Sequence, residues 1–554
     1  MSGYDDELMK KFAIRHEDNV QAMEGFTFAT LALGGIFILF HLSKTAYRGF
    51  RRWQGGSPGL ALVSSPVRMI RQVSIYSVPL FPSAGHLFVV VTYIALNVVF
   101  LFAYMDNNNF GFVTNIASRT GWLALANMIF SVFLALKNTP LAFLTAWSYE
   151  RLNILHRYSG MFAVLHMIIH ACTYSAYFAG QGRPQLLTMQ TSIYGIIAGS
   201  SFFLLGLSGV VLRPWWYELF YYVHIVFFVL AIVMTGMHQP SIVDGFLIIT
   251  IITGAMWALD RLIRLARLVF YSVNNHVTLT PLPHGGTRVT LAKAPLGALS
   301  GKHCFLWIPA IRSFETHPFT ISAMNPLEFV VTAHDGFTKD LHDLAVSQPG
   351  VQFGASVEGS YGTFPKPSSF DHVVLIAGGT GASFTFGAAF NALKHLSGRR
   401  DTKIMFVWTV RHRSILNWYA SHLQTLSQDS RVSVHVFVTK GREPTELSEF
   451  SRTDSEKAAP MMSASSSMAG DAEKDVTTVT GLDMDSFSGI PITWKRPDVP
   501  GMIRGVVSGA TRGQSVLVMG CGPSTLMRQV RNTAAGCIWS DGPTVELHCE
   551  EFGW

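Results

Sequence analysis

Residues 156–170 read HRYSGMFAVLHMIIH and residues 224–238 read HIVFFVLAIVMTGMH, two apolar runs that each begin and end on histidine. On an α-helix fourteen residues make about four turns, roughly 21 Å of rise with about 40° of net rotation, so the two histidines of each run share a face. Side by side, two such helices present two facing histidine pairs, stacked across a hydrocarbon core about 30 Å thick. Ionisable side chains at membrane depth are costly and mark function by default, and neutral imidazole is an axial ligand of haem iron. The duplicated interval therefore predicts two metal centres, with His156, His170, His224 and His238 as haem iron axial ligands. One such histidine alone would read as a packed residue bonded to a backbone carbonyl. His166 has no counterpart, since Met234 stands ten residues after His224, and it reads as a packing histidine. Arg157, Arg213, Trp215 and Trp216 read equally as contacts to haem propionates and as interfacial anchors.

The chain has 554 residues, room for several domains, and is 49% hydrophobic with 14% charged residues and a mean hydropathy of +0.30. The apolar residues crowd into the first half, so a membrane half precedes a soluble one. The net charge of +7 comes from cations clustered beside the apolar spans, which excludes nucleic acid as the partner and points to membrane lipid. None of the five cysteines forms a CxxC, so neither a disulfide framework nor a thiolate metal site follows, and a reducing compartment suits the soluble half. The polar, mixed-charge start lacks the form of a cleavable signal peptide and is expected to be an extracytoplasmic tail over 1–25.

Seven spans are expected, near 26–43, 86–105, 121–138, 154–178, 192–212, 219–237 and 243–265. With the N-terminus outside, thirteen Lys and Arg lie on the inner connections, and five, Lys10, Lys11, Arg15, Arg119 and Arg183, on the outer ones. That imbalance places the C-terminal half in the cytosol. Both histidine helices then run from inside to outside, with His156 and His224 at the inner level and His170 and His238 at the outer.

After Arg267 short strands broken by Pro and Gly follow (HVTLTPLP, TRVTLAKAP, HCFLWIPAI, HPFTISA, EFVVTAHDG), the pattern of a small antiparallel barrel over about 270–368. Within it, His317, Pro318, Phe319 and Thr320, then Gly336 and Thr338, place hydroxyls beside aromatics in a manner that suits a flavin. From Asp371, HVVLIAGGTGASFTFGAAFNALKHL reads as a buried strand, a turn at Gly378, Gly379, Thr380 and Gly381, and a helix whose N-terminus can meet a phosphate. The next strand, KIMFVWTV, runs into Arg411 and Arg413 where an adenosine ribose would lie, favouring the 2′-phosphate of NADPH. A third strand ends at Cys521, Gly522 and Pro523. Residues 441–490, rich in Ser, Met and acids, read as a disordered insertion. The chain given closes on Trp554.

Taken together, the four histidines, HPFT at 317–320, GGTGASF at 378–384, CGPS at 521–524 and EEFGW at 550–554 resemble the fungal ferric-chelate reductases, of the superfamily that includes the NADPH oxidases. The resemblance covers roughly residues 85–554. It implies a multi-domain protein: a transmembrane bis-haem helical bundle (26–268), then a cytosolic ferredoxin-reductase-like module made of an FAD-binding antiparallel β-barrel (269–368) and an NADPH-binding α/β parallel-sheet domain (369–554). It also implies that HPFT contacts FAD, that GGTG and CGPS hold NADPH with Cys521 at the catalytic position, and that Trp554 covers the flavin ring until nicotinamide displaces it. Oxidases of the superfamily commonly carry proline where this chain has Phe384 and often end in phenylalanine, so both departures look more like the reductases. The implied activity is NADPH-dependent reduction of ferric chelates or siderophores outside the plasma membrane, with cupric ion as a further acceptor and an iron permease or oxidase as candidate partner. Two alternatives remain open at this point: a superoxide-producing oxidase, and a permease or proton channel with a degenerate reductase half.

Overall fold

The computed structural model describes residues 6–53, 61–145, 147, 149–239, 241, 245–396, 402–440, 486–538 and 542–551. Among these, seven helices are long and apolar enough to cross a membrane. They are α1 (Asp6–Trp53), α3 (Ala84–Phe102), α4 (Phe112–Ala135), α6 (Tyr149–Gly180), α7 (Gln190–Leu207, continued by a π-helical turn at Ser208–Leu212), α8 (Tyr217–His238) and α9 (Phe246–Ser272). Two shorter helices, α2 (Ala61–Ile75) and α5 (Pro140–Thr145), lie on the connections.

Two boundaries differ from expectation. Residues 6–25 are not a tail but the first turns of α1, packed through Asn19, Ala22 and Phe26 at helical spacing. The third span begins at Phe112 rather than near 121, because the polar Asn115, Arg119, Thr120 and Asn127 lower the apolar signal yet are buried. Arg119, assigned above to an outer connection, lies inside α4 and is 1% exposed. Its Nε donates to Asn19 Oδ1 at 2.7 Å, and its two Nη atoms donate to the carbonyls of Phe100, Ala103, Asp18 and Tyr104. A guanidinium with its whole donor fork satisfied tolerates that depth and binds α1, the end of α3 and α4 into one unit.

α9 leads into the first sheet after three residues. Its strands are β1 (His276–Leu282), β2 (Gly286–Leu291), β3 (His303–Trp307), β4 (His317–Ala323), β5 (Leu327–Thr332), β6 (Gln352–Gly354) and β7 (Ser356–Tyr361), in the order β6-β1-β2-β5-β4-β3-β7. The two edge strands, β6 and β7, are separated only by Ala355, so the sheet must curl until its edges meet, which makes the expected barrel. Helix α10 (Phe337–Ser347) plugs it with Phe337, Leu341 and Ala345 against Val277, Leu279 and Phe329.

The second sheet holds β8 (His372–Gly378), β9 (Lys403–Val410), β10 (Val432–Val438), β11 (Ser486–Phe487), β12 (Ile490–Thr493), β13 (Ser515–Cys521) and β14 (Thr544–Glu550), ordered β11-β12-β10-β9-β8-β13-β14. All neighbours run parallel except the β11–β12 pair. Chain order departs from β8 toward β9 on one side and returns to β13 on the other, so the carboxyl ends of β8 and β13 frame a topological switch point, where ligands of such sheets bind. Of the expected insertion, 441–485 lies outside the described residues.

Candidate functional site

The four histidines meet in two pairs. Ring centres of His156 and His224 are 6.4 Å apart, and those of His170 and His238 are 6.3 Å apart. Two imidazoles bound through Nε2 to one metal, each at about 2 Å, have ring centres roughly 6 Å apart. The Nδ1 atoms of His156, His170 and His238 lie 2.9, 2.8 and 2.7 Å from the carbonyls of Ser131, Ala117 and Thr191. A carbonyl only accepts, so Nδ1 carries the proton and Nε2 keeps its lone pair for a metal. His224 Nδ1 is buried and has no hydrogen-bond partner among the described residues. Among the described residues no group of three or more metal-binding side chains gathers anywhere. Each pair therefore suits a metal that brings its own equatorial ligands, as haem iron does.

The sequence reading missed the partners of these histidines. Ala117 and Ser131 are themselves fourteen residues apart on α4, which runs antiparallel to α6. Four residues after each outer-level carbonyl acceptor, Ala117 and Thr191, stands a glycine that makes room for the ring. A Cβ on Gly121 would lie 2.7 Å from His170 Nδ1, and one on Gly195 2.6 Å from His238 Nδ1. Gly195→Val is expected to push His238 from its place and halve the haem content of the purified protein, read from the reduced absorbance spectrum; unchanged content would count against the pair. His166 lies apart from the pairs, with Nε2 3.3 Å from Asn97 Oδ1 in a network that includes Asn127 and Tyr93. Trp215 is 89% exposed, which favours the interfacial-anchor reading.

His317 to Thr320 form the first part of β4 and are all half-buried. They bond to β3, while β5 pairs with β4 only at Ile321 and Ala323. One backbone edge of HPFT is thus left for a ligand, and Pro318, which has no N–H, is tolerated beside it. The His317 ring stacks on Phe337 at 4.2 Å, next to Gly336, whose φ of +66° caps α10. A Cβ on Gly336 would stand 3.6 Å from Glu218 Oε1 on α8, six residues before His224. Thr338 Oγ1 accepts from the His334 amide at 2.9 Å. A cavity of about 160 Å³, lined by Arg261, Arg264, Glu358 and Thr316 among others, adjoins this stretch.

At the switch point the two glycine-bearing turns touch backbone to backbone. A Cβ on Gly381 would lie 2.2 Å from the Cys521 carbonyl oxygen, and one on Gly378 2.8 Å from Pro523 Cδ; Gly522 in turn packs on the Gly378 amide. Gly379 has φ +56°, so it supplies conformation where Gly381 supplies space. Thr380 completes the turn, and the helix Ala382–His395 follows it. Cys521 is 2% exposed and burial pushes its thiol pKa well up, so it stands as a neutral group. Arg411 and Arg413 follow β9. Arg411 is exposed, whereas Arg413 donates to the Ser486 carbonyl at 3.1 Å and lies over the Phe487 ring. Trp554 lies outside the described residues.

Three family models match the chain: a ferric reductase like transmembrane component over 120–235, an FAD-binding domain over 274–366 and a ferric reductase NAD binding domain over 370–535. A probable cell surface ferric reductase of Aspergillus oryzae is 27% identical over 59% of this chain and 48% of its own. A ferric/cupric reductase transmembrane component of Schizosaccharomyces pombe is 25% identical over 62% of this chain and 70% of its own. One of Saccharomyces cerevisiae is 24% identical over 84% of this chain and 66% of its own. The chain thus spans about half to seven-tenths of the length of these curated relatives.

Proposed function

We propose that the chain belongs to the ferric reductases, as its matches to their transmembrane, FAD-binding and NAD-binding models support, and that it moves electrons from cytosolic NADPH, through FAD and two b-type haems, to a ferric chelate or siderophore outside the plasma membrane. Cupric ion is a further acceptor, and the role is in iron uptake. The observation that carries this reading is the pair of histidine gaps, 6.4 and 6.3 Å, strung along the same two helices. When bound, FAD accepts a two-electron hydride and releases electrons singly, and haem iron carries them one at a time.

The chain's own residues divide the work along one line. The Gly378–Gly381 turn and Gly522–Pro523 hold the nicotinamide dinucleotide, with Cys521 as neutral contact and Arg411 on the 2′-phosphate. HPFT, Gly336 and Thr338 would orient the flavin beside the inner end of α8, and His156 and His224 would hold the first iron. His170 and His238 would hold the second, about 21 Å further along the helices. Each pair would give its metal two imidazoles, so an acceptor would meet the protein surface and not the metal itself, and acceptor choice would be broad. We assign residues 26–268, 269–368 and 369–554 to the haem, FAD and NADPH domains. The inner connections carry the excess of Lys and Arg, which supports a cytosolic reductase half.

Membranes assayed with an impermeant ferric chelate test this directly. Reduction should persist when superoxide dismutase is added; its complete loss would favour an oxidase. Arg411→Ala should raise the KM for NADPH by about ten- to a hundredfold, the cost of roughly 1.5–3 kcal/mol for hydrogen bonds to a charged group, and leave NADH unchanged. An unaltered NADPH to NADH ratio would remove Arg411 from the phosphate site.

A further inference from the structure

The first turn of α6 touches both cytosolic lobes. His303 Nε2 on β3 lies 2.7 Å from the Glu150 carboxylate and 3.3 Å from the Tyr149 hydroxyl. The next residue, Arg151, reaches the other lobe at the end of β14. Its Nη2 lies 3.2 Å from His548 Nδ1 and 3.3 Å from Nε2 of the same ring, 3.3 Å from the Cys549 carbonyl oxygen and 3.5 Å from Glu550 Oε1. His548 Nε2 is 2.6 Å from the same carboxylate oxygen.

These distances fix the protonation pattern. Nε2 faces the Glu550 carboxylate, which only accepts, so Nε2 carries the proton and donates it; Nδ1 is then left to accept from the guanidinium, and His548 is neutral. Burial agrees, pushing the His548 pKa down to about 4, with the Arg151 charge acting the same way. Burial alone would raise the Glu550 pKa, but the His548 hydrogen bond and Arg151 hold it at about 2. The His548 ring also stacks on Phe384 at 5.8 Å, and Phe364, just past the barrel, stands edge-on to Phe384 at 5.7 Å.

Glu550 is the register partner of Cys521, whose carbonyl abuts Gly381. A cation five residues from His156 therefore grips the strand that borders the nicotinamide crevice. We propose that Arg151, acting through His548 and Glu550, is a positioning residue that locks the nicotinamide lobe against the haem helix and so aims the crevice at the flavin. The inference rests on the electron path proposed above. It does not place Arg151 in contact with any reacting atom.

The test uses the full chain loaded with FAD and haem, with Arg151→Gln and Arg151→Lys. In anaerobic stopped flow at saturating NADPH, flavin bleaching in Arg151→Gln should slow by at least about tenfold, as expected when a reacting pair is misplaced by a fraction of an ångström to an ångström. The KM for NADPH and the rate of haem reduction from photoreduced flavin should stay within about twofold of wild type. Arg151→Lys, which keeps the charge without the fork, should fall between. Hydrogen exchange over residues 544–551 should rise in Arg151→Gln without NADPH present. Wild-type bleaching and exchange in Arg151→Gln would overturn the proposal. So would equal losses of flavin, haem and all half-reactions in both Arg151→Gln and Glu550→Gln, which would make the contact one of folding alone. Failure of the electron path itself looks different: wild-type protein would bleach its flavin with NADPH and leave its haem oxidised.

Discussion

His170→Ala is expected to stop reduction of an external ferric chelate while flavin reduction by NADPH continues at the wild-type rate. The outer pair brings two imidazoles together, ring centres 6.3 Å apart, and among the described residues no third metal-binding side chain gathers with them to replace one. Alanine removes the Nε2 lone pair and the Nδ1 bond to the Ala117 carbonyl together. α6 keeps its packing through Ala163 and Met167 against α4, so the helix and the inner pair should persist. Purified His170→Ala should therefore hold one haem per chain, reducible by NADPH, with chelate reduction at background. The parallel His156→Ala should leave flavin reduction intact and abolish NADPH-driven haem reduction altogether. Wild-type chelate reduction by a His170→Ala protein with a single haem would contradict the path.

Gly381→Val should have a comparable effect at the opposite end. Its φ of −57° is open to any residue, so the demand is for space: a Cβ would meet the Cys521 carbonyl oxygen at 2.2 Å, its carbon at 2.5 Å and the Gly522 nitrogen at 3.0 Å. All three are backbone atoms, so no side chain can swing aside and the ends of β8 and β13 must part. Overpacking of this kind costs about 1–3 kcal/mol, and the loss falls on the crevice proposed above for the dinucleotide. Flavin bleaching by NADPH should drop by at least about tenfold, each factor of ten being about 1.4 kcal/mol. Haem content and reduction by dithionite should not change. Gly379→Asn makes the contrast for the fold, because no atom of the described residues lies within 4 Å of an added Cβ and asparagine tolerates φ +56°. It should leave the thermal stability near that of wild type, where Gly381→Val lowers it.

The histidine pairs were legible because a helix period converts sequence spacing into a shared face. Their supports were not: Ala117, Ser131 and Thr191 act through backbone carbonyls, which no side chain announces, and Gly121 and Gly195 have meaning only once α4 is known to lie beside α6 and α7 beside α8. The late start assigned to α4 has the same origin. Arg119 and Asn127 read as loop chemistry until their partners on other helices are in place. In the C-terminal half, glycine-rich turns after buried strands marked two strand–helix junctions, but their meeting at the switch point needed the strand order, and the separation of Arg411 from Arg413 depended on where β11 packs. The Arg151, His548 and Glu550 contact joins residues nearly four hundred positions apart and leaves no local trace.

The most direct measurement places the loaded protein in sealed liposomes with a ferric chelate trapped inside and NADPH added outside, where only outward-facing reductase halves can reach it. Reduction of the trapped chelate, insensitive to superoxide dismutase and absent in His170→Ala, is the expected result. A trapped chelate that stays oxidised while chelate on the NADPH side is reduced would contradict transmembrane transfer.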